Sequence, residues 1–221
     1  YFGLNNLNKV IKKKISYTIN GISGIDGLEP TLKIIPLTRN ILIANKESIV
    51  CGWHLIKKKL NSHKTKFIPI DSEHFSIWSL IKNEKPDSIN KIILTASGGP
   101  FLKIPVKKLK NVDPRLALKH PNWKMGKKIS IDSSTMMNKV FEFIEAKKIF
   151  NVKKKQISII IHPSSYIHAI VYFKSDIIKL LAHDTKMSIP ISNALGITKT
   201  KFKNDYFLDL KNFNNLNFSV P

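Results

Sequence analysis

The chain has 221 residues, a hydrophobic fraction of 43% and a formal net charge of +22, from 37 Lys and Arg against 15 Asp and Glu. That length holds one large domain or two small ones with a sizeable core, and no uninterrupted apolar run is long enough to cross a bilayer. Cys51 is the only cysteine, so an internal disulfide is excluded and a reducing compartment fits. The opening residues, Tyr1-Phe2-Gly3 and soon Lys12-Lys13-Lys14, do not read as a secretory leader.

In chain order, residues 15–20 predict a short strand, Gly21, Gly24 and Gly27 a loop, and Leu28, Leu32 and Ile35 a helix. The glycine spacing G-x-x-G-x-x-G is not the dinucleotide fingerprint G-x-G-x-x-G and reads as turn chemistry. Ile41-Leu42-Ile43-Ala44 predicts a buried strand ending at Asn45-Lys46-Glu47-Ser48. A helix from Trp53 to Leu60 follows, then a strand over 67–70. This alternation argues for a parallel α/β sheet, whose ligands gather at the carboxyl ends of the strands. Residues 75–90 are helical and then polar, and Ile92-Ile93-Leu94 is a strand running into Thr95-Ala96-Ser97-Gly98-Gly99-Pro100.

Residues 101–128 carry Pro105, Pro114 and Pro121 among many lysines and predict a long irregular excursion of the kind used as a lid. Ser133 or Ser134 can cap a helix running to Phe150, with Val140, Phe143 and Ile144 on its apolar face. Strands over 157–161, 166–173 and 177–182 follow, the last two antiparallel, so the second half reads as α+β. From Thr198 the chain is polar and Asn-rich, as a linker is.

The positive charge is almost all lysine, with Arg39 and Arg115 the only arginines, and it is spread through a chain also rich in Asn and Ile. A reader of base edges or phosphate forks would favour clustered arginine. AT-rich codons in a biased genome, such as that of a reduced endosymbiont, explain the lysines more simply.

The chemistry concentrates in Asp71-Ser72-Glu73-His74 and in Glu142. On an extended segment residues i and i+2 point to one side, so Asp71 and Glu73 can converge as a strand ends, and Glu142 can complete the set from a helix. Three carboxylates without a Cys or His cluster form an all-oxygen site that suits Mg²⁺ or Mn²⁺ rather than zinc. Around them stand phosphate-binding residue types. Ser97-Gly98-Gly99 offers backbone N–H groups and a hydroxyl, and Ser133 a hydroxyl at a helix N-terminus. Asn138 and Glu142 share a helix face, with Lys139 beside them, and His120-Pro121-Asn122-Trp123-Lys124-Met125-Gly126 closes the excursion. Each alone has an ordinary explanation as a turn, a cap, core or solvated charge. Their joint order is harder to dismiss.

That order resembles the 1-deoxy-D-xylulose 5-phosphate reductoisomerase family of the non-mevalonate isoprenoid pathway. The motifs are Ile41 to Ser48, Asp71 to His74, Ser97 to Phe101, His120 to Ser130, Asp132 to Lys139, Ile144-Glu145-Ala146, and Ile161-His162-Pro163 with His168, covering residues 15–221. The resemblance implies that residues 1–70 are the C-terminal part of a Rossmann-like NADPH-binding domain. Residues 71–197 would be an α+β catalytic domain with a lid at about 101–126, and residues 198–221 a linker towards a C-terminal helical domain.

By the same resemblance Asp71, Glu73 and Glu142 are ligands of Mg²⁺ or Mn²⁺, with Co²⁺ as a further option, and Lys46 is catalytic with them. Lys46, Ser72 and Glu73 contact the sugar, while Ser97, His120, Ser133, Asn138 and Lys139 hold its phosphate end or close over it. Asn45, Glu47 and Gly126 contact NADPH, and Trp123 and Met125 belong to the lid. The implied activity is rearrangement and hydride reduction of 1-deoxy-D-xylulose 5-phosphate to 2-C-methyl-D-erythritol 4-phosphate. The implied setting is a homodimer when full length, in a bacterial cytoplasm or, alternatively, a plastid-type organelle, with no nucleic-acid or membrane partner. The family's glycine-rich loop has no counterpart in the 221 residues, so the chain is expected to be a central piece that does not turn over by itself. The competing readings are an inactive remnant and a basic nucleic-acid-binding protein.

Overall fold

The computed structural model describes residues 3–123, 126–197 and 216–221. After a short helical turn, α1 (Leu7–Val10), the first layer is a parallel sheet of β1 (Ile15–Asn20), β2 (Thr38–Ile43) and β3 (Lys66–Pro69), in that spatial order. Leu42 pairs with Ile19 on one side and Ile68 on the other. The unbroken run Ile41-Leu42-Ile43 suits a central strand covered on both faces, and these three residues are fully buried. Ile41 and Ile43 face a cluster with Ile49, Ile56 and Leu60 of α3 (Lys46–His63), against which Leu28 and Leu32 of α2 (Leu28–Ile34) also pack. Leu42 faces the other way, towards Ile68, Ile70, Phe75 and Ala194. This is the two-residue period of a strand read out in packing.

The second layer is a mixed sheet in the order β5-β4-β6-β7, from β4 (Ile89–Ala96), β5 (Ile157–Ile161), β6 (Ile167–Phe173) and β7 (Ile178–Ala182). β4 is parallel to β5 and antiparallel to β6, and β6 is antiparallel to β7. Its core joins Ile92, Leu94, Ile157, Ala169 and Val171 to Ile77 and Ala146. The parallel and antiparallel parts thus fall where the apolar patterns of the two halves place them.

Two helices serve both layers. α4 (Ser72–Ile81) sends Phe75 into the first-layer cluster and Ile77 into the second. α6 (Met137–Ile149) sends Ala146 into the second and Ile149 against the first. α7 (Ser188–Ala194) returns from the end of the second layer to cover Leu42 and Ile68.

Three expectations are corrected. The helix expected from Ser133 to Phe150 is two helices: α5 (Lys127–Ser134) ends there, Met136 takes a left-handed conformation at φ 60, and α6 starts at Met137. Ser133 therefore sits in the last turn of a helix, where the dipole is negative, and not at an N-terminus. Val140 is exposed, and the buried face of α6 carries Lys139, Glu142, Glu145 and Ala146. Most of the expected linker, 198–215, lies outside the described residues. Its described end bridges back to β5, with Ser219 and Ile161 exchanging backbone hydrogen bonds at 2.7 and 2.9 Å.

Candidate active site

β3 stops at Pro69 and α4 begins at Ser72, so Asp71 is the residue capping α4 and Glu73 lies in its first turn. The two carboxylates converge because a helix starts there, not because a strand alternates as the sequence suggested. Glu142 comes from the second turn of α6. One oxygen from each of Asp71, Glu73 and Glu142 lies within 4.8 Å of the others. Three anionic oxygen donors at that spacing fit a hard divalent cation such as Mg²⁺ or Mn²⁺.

Two buried ammonium groups face this cluster. Lys46, first residue of α3, ion-pairs with Asp71 and lies 3.2 Å from Glu142 Oε1 and 4.0 Å from Glu145 Oε2. Lys139 Nζ lies 2.7 Å from Glu73 Oε1 and ion-pairs with Glu142. Behind them His74, fully buried, places Nδ1 3.0 Å from Asp71 Oδ1 and Nε2 3.0 Å from the Glu142 carbonyl oxygen. A carbonyl only accepts, so Nε2 carries a proton, and a carboxylate on Nδ1 favours a second one. Burial opposes that charge, but Glu145 and Asp71 outweigh it and hold the His74 pKa up at about 9.

The same balance sets the other groups. Burial alone would raise Asp71, yet Lys46 and His74 hold it well below the usual carboxylate range. Burial would likewise raise Glu73, and Lys139 brings it below its ordinary value. Glu142 is raised, by burial and then by Glu73. Burial pushes Glu145 up to about 7 against the pull of His74 and Lys46. Burial lowers the ammoniums, but the carboxylates win: Asp71 first for Lys46, Glu142 first for Lys139, both ending above their ordinary value.

At the opposite wall Ser97 follows β4. The His120 Nδ1 accepts the backbone N–H of Asn122 at 3.1 Å and of Trp123 at 2.9 Å, which leaves its proton on Nε2, 3.0 Å from Ser97 Oγ. Ser97 Oγ also accepts the Gly99 N–H at 3.2 Å. With both incoming donors placed, the Ser97 O–H is free to donate to an anion in the cleft. Gly99, at φ +70, allows this turn to approach α5: a Cβ there would sit 2.7 Å from the Ser133 carbonyl oxygen.

These walls enclose a cleft of about 280 Å³. Lys46, Asp71, Ser72, Glu73, Ser97 and His120 line it, as do Trp123, Gly126, Ser133, Asn138, Lys139 and Glu142, each singled out from the sequence. Trp123 meets His168 edge-on with ring centres 5.9 Å apart. Met125 lies outside the described residues.

Two expected contacts do not line the cleft. The Asn45 side chain caps α3 through Ser48 N–H at 2.6 Å and donates to the Ile22 carbonyl and, at 2.7 Å, to that of Gly24, so its amide is committed to the preceding turn. Glu47 is paired with Lys128 at 2.6 Å, joining α3 to α5. Sequence reasoning passed over Thr95, Ser165 and Met187 in the lining, and the supporting pair His74 and Glu145. A signal existed for the pair, since each lies three residues from a ligand carboxylate and so shares its helix face.

A layered α/β fold with three convergent carboxylates beside a proline-broken segment defines the class, an α/β protein with a candidate metal site. Two family models match: 1-deoxy-D-xylulose 5-phosphate reductoisomerase over residues 1–52, and the C-terminal domain of that enzyme over residues 67–150. The chain belongs to the 1-deoxy-D-xylulose 5-phosphate reductoisomerase family. The enzyme of that name from Pelagibacter ubique is 58% identical over 215 residues, 96% of this chain and 55% of the relative. That of Wolbachia pipientis from Culex pipiens is 43% identical over 220 residues, 99% and 56%. A solved structure of DOX-P reductoisomerase in complex with NADPH, fosmidomycin and magnesium superposes at a TM-score of 0.87 with 35% identity, over 99% of this chain and 56% of that one. The chain therefore spans about half the length of the curated relatives it matches.

Proposed function

We propose that this chain carries the metal and sugar-phosphate site of a reductoisomerase that converts 1-deoxy-D-xylulose 5-phosphate to 2-C-methyl-D-erythritol 4-phosphate with NADPH. The observation that carries the reading is the convergence of Asp71, Glu73 and Glu142 within 4.8 Å in a cleft whose other wall presents a free serine O–H. Asp71, Glu73 and Glu142 would hold Mg²⁺ or Mn²⁺, which when bound supplies Lewis-acid stabilisation of oxyanion charge on the sugar. Lys46 and Ser72 orient the sugar hydroxyls, and Lys46 stays protonated because four acids surround it. Ser97, Ser133, Asn138 and Lys139 receive the phosphate end. His120 and Trp123 close over the cleft and keep water from a reactive aldehyde. Gly126, which lines the cleft, would contact NADPH.

In this reading the β1–β3 layer belongs to the NADPH-binding domain and the rest, to about residue 197, to the catalytic domain. A homodimer fits the outer strand β7, whose far edge is unpaired among the described residues and which leaves Ile178 and Leu180 exposed. A bacterial cytoplasmic setting fits relatives that are bacterial, and among the described residues no helix is long and apolar enough to cross a membrane. Calorimetry with Mn²⁺ and a sugar phosphate tests the proposal. Binding is expected, and Asp71→Asn should weaken it by at least about 100-fold, the upper end of what even an outer-shell ligand partner costs. Equal binding by both proteins would remove the metal assignment.

A further inference from the structure

We infer that Glu145 is a positioning residue that receives the Lys46 ammonium when a divalent cation enters the carboxylate cluster. This rests on the metal-site reading above. Each ligand carboxylate is matched by a cation of the protein itself: Lys46 on Asp71 and Glu142, Lys139 on Glu73 and Glu142. A divalent ion taking the same oxygens brings two positive charges against both ammoniums, and in a buried site that repulsion is poorly screened. Lys46 is only 9% exposed, so where it stands bulk water offers its ammonium little compensation.

The nearest remaining anion is Glu145. It lies one turn beyond Glu142 on α6, is 1% exposed, and its Oε2 has no hydrogen-bond partner. That oxygen faces two cationic groups without touching either: Lys46 Nζ at 4.0 Å and His74 Nδ1 at 3.9 Å. His74 cannot satisfy it, because its Nδ1 is directed to Asp71 and its Nε2 to the Glu142 carbonyl. A buried carboxylate oxygen without a donor is costly. A shift of the Lys46 ammonium by about 1 Å would bring it from 4.0 Å to hydrogen-bonding distance of that oxygen. Lys46 then leaves Asp71 and Glu142 to the metal and keeps a partner. The move exchanges one ion pair for another and leaves no charge bare.

The test is Mn²⁺ calorimetry on the 221-residue chain with Asp71→Asn, Glu145→Gln, Lys46→Met and the Glu145→Gln/Lys46→Met pair. Glu145→Gln is expected to weaken Mn²⁺ by about tenfold, whereas in the Lys46→Met background it should cost about twofold or less, the coupling expected of groups that act through each other. An equal loss in both backgrounds would mean that Glu145 acts on the ion through its field alone, and would overturn the proposal. So would an unchanged affinity for Glu145→Gln in a chain whose wild type binds and whose Asp71→Asn variant does not. If the wild type takes up no Mn²⁺, or Asp71→Asn binds as well as wild type, the metal-site reading falls and this inference falls with it. That outcome is visible before Glu145 is altered. Should Glu145→Gln lose its native melting transition, Glu145→Asp replaces it in the same cycle, with the same ranking expected and the same equality overturning it.

Discussion

The floor and the roof of the cleft solve opposite problems. On the floor, formed by α3, α4 and α6, Lys46, Lys139, Glu142, Glu145 and His74 are all buried, and every charge stands beside an opposite one. The roof, residues 101–123, runs as two 3₁₀ turns, Val106–Asn111 and Pro114–Leu118, and exposes Leu102, Val106, Leu109, Leu116 and Leu118. It is tied down at its far end, where Asn122 donates to the Pro163 carbonyl at 2.5 Å and to Ser165 Oγ at 2.9 Å. The floor's geometry is over-determined and resists displacement. The roof has few contacts to lose on opening, the mark of a segment at the low end of local stability.

The sharpest way to break this comparison is Gly99→Ala, where the Ser97 turn meets the end of α5. A side chain at φ +70 with its Cβ 2.7 Å from the Ser133 carbonyl should cost about 2 kcal/mol in urea unfolding if the wall between floor and roof is as fixed as the floor. A cost under about 0.5 kcal/mol would show a wall that yields as the roof does. Next in size is the pH dependence of the floor. The folded His74 pKa is about 9 against an ordinary 6.5, so its contribution to stability is complete below pH 6.5 and is lost as the pH rises through 9. In metal-free buffer the melting temperature should fall across that window, and His74→Gln should flatten the fall. The raised Glu145 value adds a decline of the same sign, but it ends near pH 7, so the readings belong above that.

For the roof, Trp123→Ala should weaken sugar-phosphate binding far more than it lowers the melting temperature. A stability loss of about 3 kcal/mol or more would place Trp123 in the core instead. Proteolysis between Lys103 and Lys119 should slow when a substrate analogue binds, and undiminished cleavage would end the lid assignment. The smallest effect is expected outside both regions. Lys179→Met removes a half-buried pair with Glu84 and the ammonium over the Phe173 ring, and should change stability by less than about 1 kcal/mol.

Much of this was legible in the sequence where local and tertiary preferences agree. Ile41-Leu42-Ile43 is apolar throughout, which a central parallel strand requires, and the all-oxygen donor set follows from residue type alone. The misses have a common cause: they depend on contacts made across the chain. Asp71 and Glu73 do converge, but by a helix start and not by strand alternation, because an i, i+2 pair looks the same at a strand end and at a helix start. The break at Met136 puts a methionine in the left-handed region, which no local preference announces. Asn45 was expected at NADPH from the family resemblance, and only the fold shows that its amide is also used by the Ile22 and Gly24 carbonyls. Glu145 and His74 stood in the quoted motifs without a role, because what they face is set only when the 71 and 142 segments meet.

The helices that splint the two layers also bear the proposed metal ligands: Asp71 and Glu73 start α4, and Glu142 rides on α6. A rotation of one sheet against the other would have to strip Phe75 or Ile77, and Ala146 or Ile149, from its cluster, and would disturb the three oxygens in the same motion. Closure by the roof would leave those oxygens where they stand. The shared helices would also make a bound cation a strain gauge for the interior. A packing defect at Leu94 or Ile41, far from any ligand atom, would register as a loss of metal affinity before the fold itself gave way.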